Sequence, residues 1–155
     1  MTLPFAVSVR GLPQPKGSKR AFIIKGQNRA VVVDANKPTM RTWERLIQWI
    51  VQQEWQGPPA LGPLVLTLDF VFPRPKSAPK RRPKDWVDVR PDLSKLARLV
   101  EDALQGVIYA DDAQVVQEHL SKRYGDEPGV HVFIDSLVCV HVQAVKEKGE
   151  VIPAP

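Results

Sequence analysis

The chain has 155 residues, enough for one domain with a buried core, and its 43% hydrophobic and 25% charged content is ordinary for a globular protein. No apolar run approaches the roughly 18 residues of a membrane span. The stretch from Met1 to Arg10 alternates and lacks the apolar block of a signal peptide, so no membrane partner is expected. The single cysteine, Cys139, excludes an internal disulfide and a cysteine-based zinc site, and fits a reducing compartment as a small buried hydrophobe.

Net charge is +5, and it is unevenly spread. Residues 10–29 carry Arg10, Lys16, Lys19, Arg20, Lys25 and Arg29 with no acid. Residues 73–90 carry Arg74, Lys76, Lys80, Arg81, Arg82, Lys84 and Arg90 against only Asp85 and Asp88. The remainder is therefore net acidic. Two cationic loops on an acidic body point to a polyanionic partner, nucleic acid above all. The plainer reading is a pair of solvated charge runs.

In chain order, Phe5, Val7 and Val9 alternate as a short strand. Two prolines and two glycines exclude regular structure from Gly11 to Arg20. Ala21 to Ile24 and Ala30 to Val33 read as a hairpin. A helix is expected from Pro38 to about Trp55, with Trp43, Leu46, Ile47 and Ile50 at helical spacing. Trp43, Trp49 and Trp55 read as core residues of that helix rather than as a base-stacking platform. After Gly57-Pro58-Pro59, Leu64, Leu66, Leu68, Phe70 and Phe72 mark one face of the clearest strand. The proline-rich cationic loop follows.

A second helix is expected from Asp92 to Gln105, with an apolar stripe of Leu96, Leu99, Val100 and Ala103 and with Asp92 as N-cap. Two more strands are expected near Gln114–Tyr124 and Val130–Val140. The order β, hairpin, α, β, α, β, β predicts a single α/β or α+β domain over residues 1–145, a mixed sheet packed with two main helices, and a frayed tail at 146–155.

Asp92, Asp111 and Asp112, with Asp102 nearby, are the candidate carboxylates for a hard cation such as magnesium, which takes oxygen ligands and commonly only one or two carboxylates. Such an ion activates water and stabilises a departing oxygen in phosphodiester hydrolysis. The competing reading is a helix cap and a solvated turn. Arg98, on the polar face of the second helix, is either an electrostatic partner for a phosphate or half of an ordinary helical pair with Asp102, four residues on. His119, His131 and His141 show no close metal-ligand spacing, and neither a nucleophilic triad nor a phosphate-cradling glycine fingerprint is present.

The run Arg90-Pro91-Asp92-Leu93-Ser94-Lys95-Leu96-Ala97-Arg98, then Asp102-Ala103-Leu104, then Asp111-Asp112-Ala113-Gln114-Val115-Val116, resembles the core signature of RusA-type Holliday-junction resolvases. Gly11 to Gly17 is similar to that family's opening Gly-x-Pro-x-Pro-Lys-Gly loop. The resemblance implies a RusA-like fold and a homodimeric endonuclease that nicks opposing strands of a four-way DNA junction with Mg2+, or Mn2+ in its place. It further implies residence in the cytoplasm of a bacterial or phage-infected cell. It assigns Asp92 and Asp112 as metal carboxylates, Asp111 as support, and Arg98 to the position of a catalytic lysine. Ser94 stands where a second acidic ligand is expected, removing a charge and a strong oxygen donor, so weak or absent cleavage is expected. Lys95 replaces an asparagine and adds positive charge. The DNA contacts expected are Lys16, Lys19, Arg20, Lys76, Lys80, Arg81, Arg82, Lys84 and Lys95. The alternative function is a junction- or branch-binding protein that no longer cuts.

Overall fold

A computed structural model describes residues 3–17, 19–23, 30–34, 38–76 and 85–137, the hairpin strands by their backbone. The elements are β1 (Phe5–Arg10), β2 (Lys19–Ile23), β3 (Ala30–Asp34), α1 (Pro38–Glu54), β4 (Leu64–Phe72), α2 (Leu93–Leu104), a 3₁₀ turn (Asp112–Gln114), β5 (Val115–Tyr124) and β6 (Gly129–Ser136). The expected order is the observed one. The domain end near 145, the tail at 146–155, Cys139 and His141 all lie outside the described residues.

The main sheet runs β1-β6-β4-β5, and β2 and β3 form a separate antiparallel pair. β4 and β5 are parallel while the other main-sheet pairings are antiparallel, so the sheet is mixed and the domain is α+β. Parallel neighbours need a crossover, and α2 supplies it between β4 and β5. Leu64, Leu66, Leu68 and Phe70 are fully buried along one face of β4. They pack with Met40, Trp43, Ile47 and Val51 of α1 and with Leu96, Leu99, Val100 and Ala103 of α2. Each such side chain contributes roughly 1.5–3 kcal/mol relative to exposure.

The tryptophans divide. Trp43 and Trp55 are in the core, whereas Trp49 is 60% exposed. Six residues advance a helix by about 600°, or 120° off the starting face, so Trp43 and Trp49 cannot both point inward. Gly11 has φ +144°, and a Cβ there would lie 2.4 Å from the Trp43 ring. The opening loop therefore needs glycine for both its backbone and its close approach to α1.

One irregularity decides what faces α2. Leu64 pairs with Val115 but Val65 pairs with Gln117, so Val116 is an extra residue on β5. Beyond it, Glu118, Leu120 and Lys122 stand opposite Leu66, Leu68 and Phe70 and share their helix-side face.

Candidate functional site

Of the residues singled out from the sequence, Ser94, Lys95, Arg98 and Asp102 lie on α2, Asp92 stands at its start, and Asp111 and Asp112 follow it in the turn before β5. At the start, Asp92 occupies the N-cap position in extended conformation, yet its side chain makes no capping hydrogen bond. Its carboxylate instead meets Lys95 Nζ at 3.2 Å. Asp92, Lys95, Pro15, Arg90 and Pro91 line an open groove of about 460 Å3. Lys122 underpins this turn from β5: its ammonium donates to the Val89 carbonyl at 2.7 Å and the Pro91 carbonyl at 2.8 Å.

At the far end, Asp111 caps the 3₁₀ turn. Its Oδ1 accepts from the Ala113 amide at 2.9 Å, and the Gln114 side chain in turn accepts from the Asp111 amide at 3.1 Å. This reciprocal box satisfies otherwise orphaned amides. Gln114 Nε2 also donates to the Ala60 carbonyl at 2.9 Å, tying the turn to the loop before β4. Asp112 is exposed beside it.

Glu101, from the last turns of α2, hydrogen-bonds Glu118 of β5, and its carboxyl is pushed up to about 8. Burial is the largest cause, followed by the hydrogen bond to Glu118 and then the charges of Glu118 and Asp112, against which Arg98 pulls down. Partial burial and two acidic neighbours thus favour the protonated form of Glu101 at neutral pH. The Tyr109 phenol is raised by burial and by Glu101, Asp112 and Glu118, and it donates to the Glu101 carbonyl at 3.1 Å. Arg98, Glu101, Asp112 and Glu118 therefore share one neighbourhood, which excludes Asp92.

The separation follows from the crossover. α2 rises roughly 18 Å over its twelve residues, and β5 returns antiparallel to it, so Lys122 meets Pro91 while Glu118 meets Glu101. Asp92 and Asp112 thus stand at opposite ends of α2. Among the described residues no group of three or more His, Cys, Asp or Glu side chains could hold a metal. Around these positions Ser94 is neutral, Lys95 is ion-paired with Asp92 and Asp111 is engaged as a cap.

The cationic residues fall into three groups. Lys16 is ion-paired with Asp102, and its amide donates to the Lys95 carbonyl at 2.9 Å. Arg98 and Lys76 are exposed and Lys95 is half-buried; the neutral Ser94 beside them is also exposed. Lys19 and Arg20 open β2, where only the backbone is described, and Lys80, Arg81, Arg82 and Lys84 lie outside the described residues. Asp102 is thus held by Lys16 and not by Arg98, its helical neighbour. His119 bonds Gln117 at 2.9 Å and His131 bonds Ser8 at 2.8 Å.

Sequence reasoning overlooked Lys122 and Glu118, because an isolated cation or acid in a strand gives no signal until the partner strand and bulge are known. The Asp111-x-x-Gln114 box was readable as a capping pattern.

These features define a small α+β domain with a mixed four-stranded sheet and a crossover helix that is polar on its outer side. The Endodeoxyribonuclease RusA family model matches residues 13–135, and the chain belongs to that family. A curated relative, the uncharacterized protein YqaN of Bacillus subtilis (strain 168), is 28% identical over 136 residues, spanning 82% of this chain and 92% of the relative. Among the described residues no helix is long and apolar enough to cross a membrane.

Proposed function

We propose that this protein acts as a homodimer on branched DNA, four-way junctions above all, nicking the backbone in a reaction that needs Mg2+ or Mn2+. Family membership over most of the chain carries this reading. Asp92 and Asp112 are the proposed metal carboxylates; standing at opposite ends of α2, they would meet at one ion only across the dimer, with Asp111 fixing the turn beside Asp112. The divalent ion would supply an activated water and charge neutralisation at the scissile phosphate. Arg98 would oppose the phosphate charge. Lys19, Arg20, Lys76, Lys80, Arg81, Arg82, Lys84 and Lys95 are the proposed contacts to the rest of the DNA.

A second reading, junction binding without cleavage, is favoured by a specific set of observations. Ser94 contributes no charge, Lys95 is paired with Asp92, and the described residues of one chain gather no three-ligand site. Loss of negative charge facing phosphate weakens metal binding and favours DNA binding. The deciding experiment is incubation of an end-labelled four-way junction and its matching duplex with the protein in Mg2+ or Mn2+. Paired nicks on the junction alone support the resolvase. Selective binding without nicks supports the second reading, and equal treatment of junction and duplex rejects both.

A further inference from the structure

Lys16 was expected to touch DNA, but its ammonium is already engaged. It is ion-paired with Asp102, with about a third of each side chain exposed. The loop that carries it is pinned at several points. The Gly11 amide donates to the Pro128 carbonyl at 2.9 Å, Lys16 N–H to the Lys95 carbonyl at 2.9 Å, and Gly17 N–H to Met40 Sδ at 3.2 Å. Pro13 is buried. Lys16 is thus delivered to Asp102 from outside α2 by a fixed loop.

This matters for Arg98. Asp102 lies four residues after it on the same helix, the spacing at which opposite charges pair. A free Asp102 carboxylate would draw the Arg98 guanidinium down onto the helix surface. With base preceding acid the pairing is the weaker orientation, and the loop-borne Lys16 takes the carboxylate instead. The other acid near Arg98, Glu101, is itself held by Glu118.

We propose that Lys16 is a positioning residue: by occupying Asp102 it keeps Arg98 unpaired by its helical neighbour and available to a DNA phosphate. This rests on the reading of Arg98 as a phosphate contact. It moves Lys16 from the group that touches DNA to the group that prepares the helix, and it gives Asp102 a definite task.

The test is binding of a fluorescent four-way junction by anisotropy, in EDTA so that no cutting occurs, across a salt series. Lys16→Met should weaken binding roughly twofold, the factor an exposed helical ion pair can impose. Asp102→Asn placed in the Lys16→Met protein should restore wild-type affinity, because no carboxylate is left to capture Arg98. Lys16→Arg, which keeps the ion pair, should bind as wild type. Thermal melts of each variant separate binding effects from loss of fold. Two results overturn the proposal. One is failure of Asp102→Asn to rescue, as a purely structural loop anchor would give. The other is a salt slope reduced by about 0.9 in Lys16→Met, the mark of a phosphate that Lys16 itself neutralises. Arg98→Ala distinguishes the levels. If it binds as tightly as wild type, the phosphate reading of Arg98 fails and takes the proposal with it. If it weakens binding while rescue fails, only the role of Lys16 is rejected.

Discussion

Lys122 and Pro91 are joined across the crossover: the lysine ammonium, projecting from β5, bonds the Pro91 carbonyl at 2.8 Å while also holding Val89 at 2.7 Å. The turn that delivers Asp92 to the start of α2 is therefore fixed from beneath, by the strand that follows the helix.

Removing that support has a clear sign. Lys122→Met should lose two charge-assisted bonds and leave two carbonyls underserved, costing about 2 kcal/mol. Urea unfolding should show an earlier midpoint at unchanged m-value. An unchanged midpoint would mean that the turn holds without the ammonium.

Ser94→Asp should restore an acid near Asp92 on the exposed side of α2. On the proposed function, junction cleavage in Mg2+ or Mn2+ appears or rises in this variant, and Asp112→Asn abolishes it while leaving binding largely intact. Cleavage that survives Asp112→Asn unchanged would remove Asp112 from the metal site.

The Glu101–Glu118 pair makes stability depend on pH. The Glu101 carboxyl is raised from 4.5 to about 8 in the folded protein, so the folded state binds this proton more tightly than the unfolded chain. Its stabilising contribution is complete below about 4.5 and is lost as pH rises through about 8. Glu101→Gln, which keeps a hydrogen-bonding side chain without the titration, should melt higher than wild type at pH 9 and gain less near pH 4.5. Parallel wild-type and variant curves from pH 4.5 to 9 would disprove the shift.

Neutralising Arg81, Arg82 and Lys84 together tests the second cationic loop. For each phosphate that the loop neutralises in the wild type, the slope of log K against log salt should fall by about 0.9 on duplex arms. A weaker complex with an unchanged slope would assign the loop to folding rather than to DNA.

The local chemistry of this chain is legible in its residues. Alternation at Leu64 to Phe72 and the stripe Leu96, Leu99, Val100, Ala103 each follow from burying one face of a regular element, and both are buried as expected. The motif from Asp92 to Gln114 is legible by its resemblance to the RusA signature, whereas spacing alone offered a helix cap and a turn. Periodicity also carries the limit of that reading: Trp49 belongs to the same helix as Trp43 but faces outward.

What only the tertiary structure decided is which residues meet. Asp92 and Asp112 are neighbours in a motif yet lie at opposite ends of α2, because the helix is the crossover between parallel strands and the chain must return along β5. One extra residue at Val116 turned Glu118 and Lys122 toward that helix. Lys16, distant in sequence, took the carboxylate that local spacing offered to Arg98. Charge and periodicity are written residue by residue, whereas the partner of each charge is set by how the crossover and the opening loop pack around one helix.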